Sequence, residues 1–215
     1  MGNGNKAEML IAVCAVISSI AAVYIAWDQA RVMRSQEKAD VWPIVQLIHH
    51  TGFDHGGFQY RFRIENAGVG PALIENFKVR LPEQGDTESL RDMVAFFAGH
   101  ELMESFTAPD WTDQSIRNRV MRQGTQLNAI TADWRPEEGL QDAVDAHVGA
   151  FIDGERPPAE VFVCYCSILG DCWIATTVQS SPRPIEVKSC EAMPDVMDQL
   201  APLNVSTPMA EGSPS

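Results

Sequence analysis

Nineteen consecutive residues, Met9 to Trp27, carry no charge at neutral pH, and the run is bracketed by Glu8 and Asp28. At about 1.5 Å rise per residue, such a helix covers roughly 28 Å, close to the hydrocarbon thickness of a bilayer, with every backbone polar group satisfied internally. No later segment is comparably apolar. The run is longer than the hydrophobic stretch of about 7 to 15 residues in a secretory signal, its flank has only Lys6 balanced by Glu8, and no small-residue cleavage pattern follows. An uncleaved anchor is therefore expected over 9–27, after a short tail at 1–8. Tyr24 and Trp27 would meet the headgroups as an aromatic belt, with Arg31 and Arg34 just beyond as further interface anchors. Residues 28–41 lack glycine and proline and keep good helix formers, so the helix should run on until Pro43 turns Trp42 extended.

The net charge of −13 belongs wholly to the rest of the chain, because Lys6, Arg31, Arg34 and Lys38 cancel Glu8, Asp28, Glu37 and Asp40. A surface that acidic repels phosphate backbones and anionic headgroups, which argues against nucleic-acid binding and favours a basic protein partner. Orientation follows from the flanking cations: Arg31, Arg34 and Lys38 after the span outnumber Lys6 and the terminal amine before it by about one. That excess predicts a cytoplasmic domain at the bacterial inner membrane; the alternative is an extracytoplasmic one.

Beyond the anchor the sequence alternates between strand and helix patterns. Ile44 to Ile48 reads as a short strand, and Thr51 to Gly57 as a turn rich in Gly, Asp and His. Over Gln59 to Glu65, Tyr60, Phe62 and Ile64 face one way and Arg61, Arg63 and Glu65 the other, the pattern of a half-buried antiparallel strand. Leu73, Phe77, Val79 and Leu81 give another strand inward residues, with Glu75 marking a bulge. Amphipathic helices are expected near 87–104, capped by Asp86 or Thr87, and near 134–153, capped by Asp133 and stopped by Gly154. Between them, Ser115 to Arg122 and Thr125 to Thr131 read as a hairpin about Gly124. Leu169-Gly170-Asp171 joins strands Glu160 to Ile168 and Cys172 to Val178 in the clearest hairpin signal of the chain. The domain should thus span 42–190, with an aperiodic, disordered tail over 191–215.

The Asn66-Ala67-Gly68-Val69-Gly70-Pro71 segment contains glycines after a strand but leads into another strand, so it lacks the helix N-terminus that a phosphate loop needs. It reads as a structural turn in which Asn66 bonds nearby backbone, Gly68 or Gly70 takes positive φ, and Pro71 stiffens the exit. With the preceding anchor and Val41-Trp42-Pro43, and with Val163-Cys164-Tyr165-Cys166-Ser167 and Cys172-Trp173 downstream, this turn resembles that of a scattered group of uncharacterised bacterial single-pass membrane proteins. It is also similar to the inter-strand turn of immunoglobulin-like, adhesion-type modules. The resemblance implies a mainly β chain: an N-terminal transmembrane helix, then an antiparallel immunoglobulin-like β-sandwich with two additional amphipathic helices. It brings no known catalytic residue.

Cys14 lies in the anchor, leaving Cys164, Cys166, Cys172 and Cys190 for the domain. In a cytoplasmic domain they read as buried free thiols; outside the cytoplasm Cys166 and Cys172 would pair across the hairpin. A Cys-x-Cys within a regular strand splays its sulfurs roughly 7 Å apart, which disfavours a shared metal. His49, His50 and His55 gather near the first turn, but neighbours on a strand face opposite ways and read as exposed turn residues. No Ser or Cys stands in a nucleophile elbow. No catalytic, cofactor or metal site is expected. The reading is a membrane-tethered, non-catalytic scaffold that binds another protein through a sheet edge or the acidic helix from Pro136 to Phe151; an extracytoplasmic ligand or envelope-stress sensor and a small hydrolase are the alternatives.

Overall fold

The computed structural model describes residues 4–82, 84–178 and 183–200. Helix α1, Gly4–Asp40, forms one unit by itself, and residues from Trp42 onward form a second. Within α1 the stretch from Glu8 is long and apolar enough to cross a membrane, and its large apolar side chains, including Tyr24 and Trp27, are exposed.

The second unit is mainly β and antiparallel. Its chain order is β1 Val45–Asp54, β2 Gly57–Asn66, β3 Ala72–Leu81, β4 Gly85–Thr87, α2 Leu90–Glu104, β5 Asp110–Asp113, β6 Arg119–Met121, β7 Gln126–Trp134, α3 Leu140–Ile152, β8 Glu160–Cys166, β9 Cys172–Thr176 and β10 Ile185–Val187. A single 3-10 turn, Cys190–Ala192, then leads into α4, Met193–Gln199. One sheet runs β1-β2-β7-β5; the other runs β10-β9-β8-β3-β4, with β6 also on β3. Phe62, Ile64, Ala129 and Ile130 from the first and Ile74, Val79, Val161 and Val163 from the second share one core, closed by Met93 and Val94 of α2 and Leu140 and Val144 of α3.

The alternation over Gln59 to Glu65 is realised: Tyr60, Phe62 and Ile64 are buried in β2 while Arg61, Arg63 and Glu65 are half-exposed. The register of β3 against β8 slips between Ile74 and Asn76, so Glu75 does mark a bulge. Upstream of that slip the inward set shifts, burying Ala72 and Ile74 and leaving Leu73, expected inside, only half-buried. The first turn is tighter than the Thr51 to Gly57 loop expected, because β1 runs on to Asp54 and only His55 and Gly56 connect it to β2. Both have positive φ, 50° and 86°, the backbone of a type I′ hairpin.

Four further expectations need correction. Arg119–Met121 pairs with β3 and Gln126–Trp134 with β2, so Gly124 carries the chain from one sheet to the other and no hairpin forms there. Ser89, whose Oγ accepts from Asp92 N at 3.1 Å, caps α2 in place of Asp86 or Thr87, which lie in β4. Helix α3 starts at Leu140 behind a left-handed Gly139 and has no side-chain cap, because Asp133 belongs to β7 and Glu137 accepts from Thr107 N at 2.9 Å. Finally, the tail expected from Glu191 begins inside the 3-10 turn and continues as α4, which buries Met193 and Met197 against Phe162, Cys164 and Ile174; residues 201–215 lie outside those described.

Candidate functional site

The Asn66 turn comes first, because it joins both sheets. Asn66 is fully buried, and its side chain makes four hydrogen bonds: Oδ1 accepts from Ile44 N at 3.3 Å and Gly68 N at 3.1 Å, while Nδ2 donates to Gly70 O at 2.7 Å and Met121 O at 3.1 Å. Its backbone also receives Gly124 N and donates to Thr125 O. One amide therefore ties the start of β1 to the turn and to the crossover between β6 and β7. Neither Gly68 nor Gly70 has the positive φ expected of it. Gly68 is required for another reason: a Cβ there would stand 2.3 Å from Ile44 N and 2.5 Å from Trp42 O, since the turn folds directly over the Trp42–Ile44 backbone. This arrangement carries shape rather than chemistry.

The domain cysteines are paired, which overturns the reading as buried free thiols. Cys166 bonds Cys172, its direct opposite in the β8–β9 register, and Cys164 bonds Cys190. Residues two apart on a strand share a face, so both sulfurs of Cys164 and Cys166 emerge on the side that α4 covers. The 3-10 turn delivers Cys190 there, and its sulfur lies 3.8 Å from that of Cys166. Among the described residues, Cys166, Cys172 and Cys190 are also the one group of three metal-type side chains close enough to share an ion, but each sulfur is already spent in a disulfide. The histidines do not converge: His55 faces Asp54 at 2.6 Å in the exposed turn, and His50 sits opposite Arg61.

The third feature was not anticipated from sequence. An apolar cavity of about 220 Å³, open to solvent on one side, lies at the seam where β1 and β2 of one sheet approach the start of β8 and the residues just after β9 in the other. Met93 and Phe97 of α2 and Phe151 of α3 line it with His49, Tyr60 and Glu160. Phe97 and Phe151 stack at 5.4 Å, and Phe97 lies 4.7 Å from the Tyr60 ring. The kink of α2 at Gly99, φ 66°, is supported by α3: His147 Nε2 meets the Phe97 carbonyl, and Arg156 lies 2.9 Å from His147 Nδ1 while stacking over Phe151.

His49 Nδ1 and the Tyr60 hydroxyl are 2.7 Å apart in the cavity wall. Burial of the His49 ring, packed 4.9 Å from Phe62, lowers its pKa from the usual 6.5 to about 4, and burial raises that of Tyr60. Both are uncharged at neutral pH. Glu160 is buried beside them, with Arg80 Nη1 3.9 Å from its carboxylate. A larger, polar cleft of about 360 Å³ near the start of α2 is filled with compensated charge instead, Arg91 with Asp113 at 3.1 Å and Arg117 with Glu88 at 2.8 Å.

The lowered His49 pKa has a defined sign. A histidine that folds into its neutral form stabilises the fold above its unfolded pKa, and that contribution is lost as pH falls through about 6.5 towards 4. The titratable groups facing it are Tyr60 from β2 and Glu160 from β8; α2 and α3 supply only Met93, Phe97 and Phe151. Because His49 is exposed on one side, water screens part of the cost of charging it. Thermal unfolding followed between pH 7 and pH 4 should show a drop that His49→Gln diminishes, and a ring-proton titration should place the His49 midpoint near 4. A midpoint at the ordinary value would mean that the ring is solvated.

A scan against protein-family models finds no match, and no curated protein matches the sequence.

Proposed function

We propose that this chain is a single-pass bacterial inner-membrane protein whose domain, an immunoglobulin-like sandwich, works outside the cytoplasm as a tethered, non-catalytic binding module. The observation that carries this reading is the pairing of all four domain cysteines, Cys164 with Cys190 and Cys166 with Cys172. Disulfides persist in oxidising compartments and are rare where thioredoxin and glutathione keep thiols reduced. The opposing signal is weak, because the excess of flanking cations that predicts a cytoplasmic domain amounts to about one charge. Thiol chemistry thus outweighs the positive-inside count.

A binding role fits the chemistry of the domain. Its sulfurs are held as disulfides, so none is available as a nucleophile, and the polar pair at the seam cavity is uncharged. Tethering through α1 raises the local concentration of such a module, so modest intrinsic affinity suffices for partners in the same membrane or compartment. In intact cells, a cysteine placed at the exposed Glu138 should react with an impermeant maleimide before lysis. In the unsubstituted chain, alkylation under denaturing conditions without reductant should modify Cys14 alone. Labelling at position 138 only after lysis, with four further thiols alkylated, would sink the proposed orientation.

A further inference from the structure

We infer that the cavity at the seam of the two sheets is a binding site for a compact, uncharged ring compound bearing one hydrogen-bonding oxygen or nitrogen, of the phenol or indole type. This rests on the reading of the domain as a binding module and names its ligand class.

Size sets the first limit. An apolar cavity of about 150 Å³ accommodates benzene, so the 220 Å³ here admits one ring with one or two small substituents, or a fused pair. The walls set the second. Phe97 stacks on Phe151 and lies 4.7 Å from the Tyr60 ring, so three aromatic rings line the interior, and aromatic walls attract another ring in offset or edge-on geometry. Met93, fully buried at the wall, adapts to irregular outlines.

The His49–Tyr60 pair sets the third limit. If the tyrosine hydroxyl donates to Nδ1, the imidazole carries its proton on Nε2 and has that N–H to offer; if Nδ1–H donates, the tyrosine O–H is free to donate. Either tautomer leaves the pair one donor for a ligand atom. The same pair offers no cation to an anionic ligand at neutral pH, and the nearby Glu160 carboxylate faces Arg80. A carboxylate entering this space would lose its hydration without gaining a counter-charge. A flexible acyl chain would surrender rotational freedom for walls that favour flat partners.

Full-length protein in nanodiscs, titrated with indole, 4-methylphenol, benzoate and 1-octanol by ligand-observed NMR, tests this directly. Indole and 4-methylphenol should bind saturably, benzoate at least tenfold more weakly, and octanol no better than benzoate. Ala159→Leu, at the half-buried rim, should weaken both ring probes at least tenfold by occupying the cavity, with an unchanged thermal midpoint reporting an intact fold. His49→Phe combined with Tyr60→Phe removes both possible donors of the pair, keeps the wall aromatic and should weaken 4-methylphenol several-fold while leaving toluene unaffected. Failure of every ring probe to saturate at millimolar concentration overturns the ligand assignment, as does octanol binding as tightly as indole. Failure of the membrane-topology labelling described above, by contrast, overturns the tethered, extracytoplasmic reading and leaves the cavity measurements standing.

Discussion

Asn66→Asp should destabilise the domain more than any other single isosteric change, lowering its thermal midpoint by about 10 °C at pH 7. The substitution keeps the two acceptor contacts to Ile44 N and Gly68 N but replaces the amide nitrogen that donates to Gly70 O and Met121 O. Two buried carbonyls lose their donor, at about 1–3 kcal/mol each, and the new carboxylate oxygen is pressed against both. Ionisation in a site with no exposure adds a desolvation cost that no neighbouring cation offsets among the contacts of Asn66. Together these amount to roughly 3–5 kcal/mol, and at about 2–4 °C per kcal/mol for a domain of this size the shift is readily seen by circular dichroism. Asn66→Ala, which removes all four bonds without adding charge, should be less damaging at pH 7. The gap between the two variants should narrow on acidification, because a protonated aspartate regains one donor. An aspartate variant within 1 °C of the natural protein would show that water already enters this turn and satisfies the carbonyls.

The Asn66 turn also illustrates what was legible beforehand. That Asn66 organises the turn follows from its residue type, since a short amide that bonds nearby backbone is a local matter. The reason for Gly68 was not local: it depends on Trp42, Pro43 and Ile44 passing directly underneath, some two dozen residues earlier in the chain. The same division runs through the fold. The alternation of Tyr60, Phe62 and Ile64 and the disruption at Glu75 appear in the residues themselves, because a two-residue period and its interruption are sequence properties. Arg119–Met121 is a strand only by virtue of its register with Ala72–Ile74, and three residues cannot display a period. The seam cavity stayed hidden for a related reason. With a strand ending at Ile48 and a turn assigned from Thr51 to Gly57, His49 read as an exposed turn residue; it is exposed, but β1 continues to Asp54 and holds it opposite Phe62 and beside Tyr60.

Eliminating the Cys164–Cys190 disulfide by paired alanine substitution should cost about 3–4 kcal/mol, against about 2 kcal/mol for the Cys166–Cys172 pair. The difference follows from loop length. The first pair closes 26 residues of chain and the second only 6, and the entropy withheld from the unfolded state grows with the logarithm of that span. The loss should also be localised. Beyond Cys190, α4 is held by burial of Met193 and Met197 and by Arg80, whose Nη1 donates to Met197 O at 2.6 Å and whose Nη2 lies 3.4 Å from Asp198. Seven residues form too short a helix to persist without tertiary support. Without the covalent tie the α4 amides should therefore exchange with solvent well before those of β8 and β3, which remain paired in the sheet interior. Removing the hairpin disulfide should instead leave α4 protection nearly intact, since the β8–β9 register and its short turn already bring Cys166 and Cys172 together. Hydrogen exchange with both double variants separates the two effects. Equal loss of protection in α4 from either variant would mean that the two sulfur bridges act as one packed unit, with Cys166 supporting Cys190 through their 3.8 Å contact rather than each loop being constrained independently.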